Sequence, residues 1–164
     1  MNAIADPAPA SDLGSYGSPI SLKCYSNAEF DRGASRVKEA FWLLCSALFF
    51  RHPLAIFTPI KVFLLRAFGA RVGKGVVIKP CVQITFPWKL RIGNNAWIGE
   101  HVWIDNLDDV TVGSNVCISQ GALLLCGNHD YTRPTFDLIT KPIVIEPGAW
   151  VCARCVVTQG VTVG

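Results

Sequence analysis

The sequence is poor in charged residues and in histidine. Of its 164 residues only 16% are Asp, Glu, Lys or Arg, the formal net charge is +3, and there are three histidines. So small a positive balance does not indicate a nucleic-acid-binding protein, although it would not repel an anionic cofactor or a membrane surface. Because 51% of the residues are hydrophobic, the chain has enough apolar material for the core of one modest domain.

The chain also lacks the marks of an exported protein. Its first nineteen residues, MNAIADPAPASDLGSYGSP, contain no basic stretch followed by an apolar one. Seven cysteines without an export signal are typical of free thiols in a reducing compartment, so we expect a cytoplasmic protein. Cys152 and Cys155 form one C-x-x-C pair, and no second pair is present. A redox or metal role for the pair stays open beside the simpler interpretation of two small apolar fillers.

Two helices are predicted in the segment 25–68, which follows a flexible arm over residues 1–24 that is rich in Ala, Pro, Ser and Gly. Ser35 is suited to cap a helix that reaches Phe50, and a second helix is expected from Leu54 to Phe68. The uncharged run from Ala40 to Phe50 is shorter than the ~20 residues that a membrane crossing needs. Two interpretations stay open. The helices cap the following domain, or they lie in a membrane interface with these basic residues at the headgroups: Arg36, Lys38, Arg51, Lys61 and Arg66.

After Gly69 an aliphatic residue recurs every six positions. The recurring residues are Val72, Ile78, Ile84, Ile92, Ile98, Ile104, Val112, Ile118, Leu124, Ile145, Val151, Val157 and Val163. Two positions before each of them lies another small or apolar residue, and Gly often follows. A period of six is the signature of a parallel β-helix built from hexapeptides, so we predict such a domain over residues 69–164. The recurring residue and its partner two positions earlier should both project inward.

Three interruptions of the period predict where a functional site lies. The spacing lengthens to eight after Ile84, to eight after Ile104, and to twenty-one after Leu124, with three hexapeptides between successive interruptions. If three hexapeptides make one coil, all the insertions leave the prism at the same corner, and solenoids often place their binding face there. We therefore expect residues 86–88, residues 105–109 and the loop 125–142 to stack along one edge.

His129, in the longest interruption, is the strongest candidate for a catalytic residue. An imidazole on an edge shared with Asp105, Asp108 and Asp109 can act as a general base near neutral pH, although a lone loop histidine is also often incidental. A zinc site with three histidine ligands, as in hexapeptide-repeat carbonic anhydrases, would need a third histidine beside His101 and His129 on the same domain. None is present, so we expect no metal.

The loop sequences resemble those of the colanic acid biosynthesis acetyltransferases, within the hexapeptide-repeat acyltransferases. The resemblance covers about residues 30–164 and is carried by FPW (86–88), WIDNLDDVTVG (103–113), NVCISQGA (115–122), GNHDY (127–131), FDLITKPI (136–143) and GAWV (148–151). It implies a left-handed parallel β-helix preceded by two α-helices. It also implies an O-acetyltransferase that moves an acetyl group from acetyl-CoA to a sugar hydroxyl in exopolysaccharide biosynthesis.

The resemblance further implies roles for particular residues. His129 would be the catalytic base, Asp105 with Asn106 and Asn128 would bind the acceptor, and Trp150 and Ala153 would line the coenzyme A site. The family forms homotrimers with each site between two prisms, and the acceptor would be a sugar or lipid-linked saccharide. A peripheral membrane contact through residues 36–68, at the inner face of the membrane, would suit such an acceptor.

One departure from the family pattern supports an alternative function. Relatives continue beyond the position of Gly164 with a further coil and a C-terminal cap, which are expected to be missing here. The alternative is therefore a non-catalytic β-helix with a structural or assembly role.

Overall fold

The computed structural model describes residues 20–164 and has one triangular prism of parallel strands. The predicted flexible arm lies, up to residue 19, outside the described residues. The strands form three faces, and neighbours within a face are paired in parallel. Face A contains β1 (Arg71–Val72), β4 (Leu90–Ile92), β7 (Val110–Val112), β12 (Ile143–Ile145) and β15 (Thr162–Val163). Face B contains β2 (Val77–Ile78), β5 (Trp97–Ile98), β8 (Cys117–Ile118) and β13 (Trp150–Val151). Face C contains β3 (Gln83–Ile84), β6 (Trp103–Asp105), β9 (Leu123–Leu125) and β14 (Val156–Thr158).

The six-residue period positions the core as predicted. Every recurring aliphatic residue is buried except Val72 and Val163, which lie half-buried in the first and last strands of face A. The partners two positions earlier are also buried, except Cys155 and Val161, which are exposed. Cys155 precedes β14 and Val161 precedes β15, the last strands of faces C and A, which no further strand of residues 20–164 covers. The interpretation of Cys152 and Cys155 as core fillers is wrong, because both side chains are exposed.

Crowding between coils explains the glycines that follow the recurring residue. A Cβ atom on Gly93 would lie 2.5 Å from the backbone N of Ser114, and one on Gly113 would lie 2.5 Å from the backbone N of Pro147. Turn backbones of successive coils therefore stack too closely for a side chain. Positive φ angles occur at other turn positions, such as Asn95 and Asn115, where asparagine tolerates the left-handed region.

The three insertions leave the prism at one corner, as predicted from the spacing. Each connects a strand of face C to the next strand of face A, between β3 and β4, β6 and β7, and β9 and β12. We call this corner the insertion edge. Residues 20–34 run along it: the N–H of Ser21 donates to the carbonyl of Pro134, and the indole N–H of Trp88 donates to the carbonyl of Arg32 at 2.6 Å. A 3₁₀ helix, Leu22–Cys24, lies in this segment, and another, Pro87–Lys89, lies in the first insertion.

Two α-helices precede the first coil. The first, α1, is Arg36–Phe49, and the Ser35 hydroxyl caps it by accepting from the backbone N–H of Lys38, as predicted. The second, α2, is Thr58–Ala67 and begins four residues later than predicted. Pro59 explains the later start, because a proline in the first turn needs no backbone N–H partner, whereas one inside a helix would break a hydrogen bond.

Side chains of the helices bond to the open edge of the first coil on all three faces. The indole N–H of Trp42 donates to the carbonyl of Ile84 on face C at 2.8 Å. The ammonium group of Lys61 donates to the carbonyls of Ile78 and Lys79 on face B at 3.2 and 2.7 Å, and the Arg66 guanidinium donates to the carbonyl of Val72 on face A. These bonds satisfy carbonyl groups that a further coil would otherwise bind.

Lys61 is therefore not a headgroup ligand, and its prediction as one is wrong. Its side chain is only 1% exposed between α2 and the first coil. Burial lowers the pKa of its ammonium group to about 8, because the charged form loses its hydration.

Candidate functional site

His129 lies on a hairpin that projects from the insertion edge. Its strands, β10 (Gly127–His129) and β11 (Leu138–Thr140), are antiparallel, with His129 opposite Leu138 and Gly127 opposite Thr140. The hairpin is anchored at its base because the N–H of Cys126 donates to the carbonyl of Asp105 and the N–H of Lys141 donates to the carbonyl of Cys126. The histidine therefore projects from ordered secondary structure rather than from an irregular loop.

One hydrogen bond determines the tautomer of His129. Its Nδ1 lies 2.9 Å from the carbonyl oxygen of Phe136. A carbonyl oxygen only accepts, so Nδ1 must carry the hydrogen and Nε2 of the neutral ring keeps its lone pair. A neutral imidazole with a free Nε2 is the form that a general base requires.

Two aromatic rings hold the imidazole in place. The ring of Phe136 stacks on it with centroids 4.4 Å apart and an interplanar angle of 3°, and Tyr25 meets it edge-on at 5.5 Å. Phe136 has a φ of +51°, uncommon for a bulky residue. Neither residue is expected from the sequence to have a role. Phe136 falls within the family-like loop sequence, but Tyr25 lies in a segment without periodicity, and no sequence signal connects it to His129.

Charged groups stabilise the tip of the hairpin. Arg133 forms ion pairs with Asp130 at 3.4 Å and Asp137 at 3.0 Å. Hydrogen bonds from Thr132 hold the pKa of Asp130 below its usual value, and hydrogen bonds from Thr135 and Arg133 do the same for Asp137. Both carboxylates thus remain ionised at neutral pH and help to close the turn that carries Phe136.

A cleft opens against the hairpin that carries His129, although His129 itself is not among the residues that line it. Directly opposite residues of an antiparallel pair project to one side, so Leu138 and Thr140 share the side of His129. Both residues line a cleft of about 520 Å³ between the hairpin and residues 24–30. Its wall is rich in hydroxyl, amide and carboxylate groups, from Ser26, Asn27, Glu29, Thr135, Asp137 and Thr140.

The predicted acceptor ligands have separate surroundings. Asp105, at the end of β6, lies opposite Leu125 in the next coil, and its Oδ1 accepts from the Thr85 hydroxyl at 2.8 Å. Asn106 is fully buried, and its side-chain amide bonds both the N–H and the carbonyl of Phe86. The structure gives Asn106 a structural role in place of the expected contact with a substrate.

Asn128 projects away from the imidazole. It precedes His129 in β10, and successive side chains of a strand point to opposite faces. Its carbonyl oxygen accepts from the backbone N–H of His129, and the residue is otherwise exposed. Asn128 therefore does not line the cleft on the His129 side.

The two residues expected to contact coenzyme A lie away from the insertion edge. Trp150 is 67% exposed on face B, and its indole N–H donates to the Ser119 hydroxyl at 2.8 Å. Ala153 is exposed in the turn that leads from face B to face C. In a triangular prism the corner between faces A and C lies opposite face B. The structure thus places Trp150 and His129 on opposite sides of one prism.

Metal chemistry has no apparent ligand set in the part of the chain that the structure describes. His101 is exposed in a turn with a φ of +57°. Residues 20–164 contain no group of three or more His, Cys, Asp or Glu side chains suited to hold a metal ion.

Proteins similar in sequence and solved structures similar in fold are both named as acetyltransferases. The chain is 39% identical over 133 residues to a protein of Escherichia coli K12 named as the colanic acid biosynthesis acetyltransferase WcaF, an alignment that covers 81% of this chain and 73% of that protein. A protein of the same name in Shigella flexneri matches equally. No protein-family model matches the chain.

Solved structures share the fold. The hexapeptide-repeat acetyltransferase VCA0836 of Vibrio cholerae superimposes with a TM-score of 0.69 at 24% identity, over 86% of this chain and 77% of that one. The same protein in complex with acetyl coenzyme A superimposes with a TM-score of 0.67 at 26% identity, over 85% of this chain and 78% of that one. The predicted left-handed parallel β-helix with two preceding helices is confirmed.

Proposed function

Because the chain belongs to the family of the colanic acid biosynthesis acetyltransferases, we propose that it is an acetyl-CoA-dependent O-acetyltransferase acting on a sugar hydroxyl in exopolysaccharide biosynthesis. The observation that carries the proposal is the bond between His129 Nδ1 and the carbonyl of Phe136, which leaves Nε2 as a proton acceptor.

In the proposed reaction His129 moves one proton. Its Nε2 accepts the hydroxyl proton while the acceptor oxygen forms a bond to the acetyl carbon, and the bond from that carbon to sulfur breaks. The imidazolium then returns the proton to the departing thiolate, so the enzyme ends as it began. During the charged interval the Phe136 carbonyl stabilises the N–H at Nδ1. A positioned base of this kind contributes roughly 10²–10⁴-fold to the rate.

We assign the cleft between the hairpin and residues 24–30 to the acceptor saccharide. Its volume of about 520 Å³ is in the range of small-molecule sites, and its polar wall suits a ligand with many hydroxyl groups. Phe30 at the wall provides an aromatic surface for a sugar ring. Asp105 lies one coil below the hairpin base on the same edge and is a further candidate for the acceptor.

The donor site is proposed to lie between subunits of a homotrimer. Trp150 presents an exposed indole, and Ala153 offers a small side chain at the adjacent turn, which fits a groove for the coenzyme A arm. Since both are remote from the insertion edge of their own chain, a site that uses them with His129 requires a neighbouring prism. Trimer symmetry would bring the hairpin of one chain to face B of the next.

We place the reaction in the cytoplasm, at the inner membrane face when the saccharide is lipid-linked. All seven cysteines are free thiols in the structure, which fits a reducing compartment. In residues 20–164 no helix has the length and apolar character to span a membrane.

The experiment that tests the function is acetyl transfer by the purified chain. Acceptor-dependent release of free coenzyme A thiol from acetyl-CoA, screened over nucleotide sugars and lipid-linked oligosaccharides, is the expected result. Calorimetric titration with coenzyme A separates this function from a non-catalytic β-helix with an assembly role. Micromolar binding supports the transferase, and the absence of both binding and thiol release would leave the assembly role.

A further inference from the structure

The outer face of the helical cap is apolar, which is unusual for a surface helix. On α1 the residues that face away from the β-helix include Val37, Phe41, Leu44 and Leu48, at spacings of four, three and four. These spacings place them on one stripe, opposite the stripe that contains buried Trp42 and Ser46. A surface helix normally presents polar residues there, whereas a helix that is apolar on all sides is normally buried.

The apolar surface continues beyond α1. The connection to α2 exposes Leu54, Ile56 and Phe57, and α2 itself exposes Ile60 and Phe63, with exposed fractions up to 77% at Leu54. A shallow groove of about 170 Å³ lies between the two helices and is lined by side chains from both, including Leu48, Phe57 and Ile60. We call this continuous surface the apolar cap face. Scattered exposed apolar residues are normal, but a contiguous patch of this kind indicates an interaction surface.

Positive charge borders the apolar cap face on the side of the first coil. Between Glu39 and Glu100 the sequence has no Asp or Glu and eight basic residues: Arg51, Lys61, Arg66, Arg71, Lys74, Lys79, Lys89 and Arg91. Apart from buried Lys61, most belong to the helices and the first coil. Lys74 lines a groove together with Phe63, so an exposed cation borders the apolar residues directly. Arg71 lines a second groove with Arg66, next to the first.

We propose that the apolar cap face docks on the surface of an anionic lipid bilayer. The exposed Leu, Ile and Phe side chains enter the boundary between headgroups and acyl chains, while Arg51, Arg71 and Lys74 contact lipid phosphates. Because the helices close one end of the prism, docking stands the solenoid on the membrane by that end. The hairpin with His129 leaves the prism from the third coil. The first two coils therefore separate the hairpin and its cleft from the membrane surface.

A second copy of the chain is a less suitable occupant of this face. In a two-fold contact each patch meets the same patch of its partner, so the cationic borders would lie against each other. An anionic bilayer instead offers acyl chains to the apolar side chains and negatively charged headgroups to the basic residues.

Vesicle co-sedimentation of the full chain tests the proposal without relying on acetyl transfer. We expect binding to vesicles of phosphatidylglycerol and phosphatidylcholine, and much weaker binding to phosphatidylcholine alone. Phe41→Gln with Phe63→Gln should abolish most binding. Arg71→Gln with Lys74→Gln should weaken it by about fivefold for each charge removed. The matched control is Val156→Gln with Val161→Gln, which alters two exposed apolar residues at the other end of the prism and should bind like the wild type.

Three results would overturn the proposal. One is a wild-type chain that fails to sediment with anionic vesicles. Another is a Phe41/Phe63 variant that is folded by circular dichroism and binds like the wild type. The third is a Phe41/Phe63 variant that lowers the oligomeric mass in light scattering, because it would assign the face to a contact between copies. Acetyl transfer to a soluble acceptor by the wild-type chain does not require docking, so a failed docking proposal is distinguishable from a failed transferase.

Discussion

At the scale of single residues, the proposed catalysis depends on the groups that orient the imidazole as well as on the imidazole itself. A free histidine ring interconverts between tautomers and rotates, whereas His129 is bonded at Nδ1, stacked by Phe136 and bordered by Tyr25. Leu138, which pairs with His129 in the hairpin, lines the polar cleft, so the proposed base and the proposed acceptor surface belong to one hairpin.

Substitution of Asn27 or of Asn128 tests whether the acceptor binds in the cleft or at the residue that the sequence resemblance implies. Asn27 lines the cleft, while Asn128 lies on the other side of the hairpin. We expect Asn27→Ala to raise KM for the acceptor severalfold and leave the affinity for coenzyme A unchanged, because a hydrogen bond to the saccharide contributes about 1 kcal/mol. Steady-state kinetics with varied acceptor concentration measure this KM. If Asn128→Ala raised KM for the acceptor and Asn27→Ala did not, the acceptor would bind on the opposite face of the hairpin.

Asn106 is predicted to act through stability. Asn106→Ala removes the buried amide that bonds both backbone groups of Phe86, and leaving those groups unpaired should lower the free energy of unfolding by about 1–3 kcal/mol. Urea denaturation measures the change. Asn128→Ala, at an exposed position, serves as the control and should stay near the wild type. A direct substrate contact would be indicated if Asn106→Ala kept full stability but lost affinity for the acceptor.

At the scale of elements, the helical cap and the first coil are linked by polar contacts in an apolar setting. Trp42, Lys61 and Arg66 each supply donors to one face of the prism, and the strands they cap have no earlier coil within residues 20–164. We propose that the helices serve as an N-terminal cap and as the membrane-facing segment at once, with opposite faces for the two roles.

The cap makes stability depend on pH through Lys61. Burial lowers the pKa of Lys61 from 10.5 to about 8 in the folded chain. Between those values the unfolded chain binds more protons, so the free energy of unfolding should rise with pH, by up to about 3 kcal/mol. Urea denaturation near pH 8 and near pH 10.5 is compared with Lys61→Met, which has no proton to lose there. If the free energy of unfolding changed with pH in the same way in both proteins, Lys61 would not titrate as described.

Elements with a strong period could be predicted from sequence, and those set by tertiary contacts could not. The six-residue spacing located the inward residues and the insertion edge because each inward position faces the same packing constraint. The start of α2 was misplaced because residues 54–57 carry apolar side chains that resemble a helix but lie exposed in a connection. The burial of Lys61 follows from carbonyl groups that only the folded first coil presents, which no local pattern reveals.

At the scale of the whole molecule, the residue proposed as the general base and the residue proposed to bind acetyl-CoA lie on opposite sides of one prism. His129 belongs to the insertion edge between faces A and C, whereas Trp150 belongs to face B. Sequence resemblance suggested both positions, but their separation depends on the closure of the three faces and could not be read from spacing.

Mixing of variant subunits tests the intersubunit site. His129→Asn lacks the base, and Trp150→Ala should be inactive at low acetyl-CoA concentration because it lacks the donor surface. Trimers re-formed from an equal mixture should recover about a quarter of the wild-type sites, since each site takes its two residues from different chains. The measurement is acetyl transfer after denaturation and refolding of the mixture, with light scattering to verify the trimer. No recovery in a verified trimer would mean that the site lies within one chain.

The rate of acetyl transfer by His129→Asn, compared with His101→Asn, tests the central claim most directly. Both variants make the same substitution, and His101 lies exposed in a turn whose positive φ suits asparagine. We predict that His129→Asn keeps coenzyme A binding and the fold while kcat falls by roughly 10²–10⁴-fold, and that His101→Asn stays close to the wild type. Turnover by His129→Asn at the wild-type rate would contradict the account.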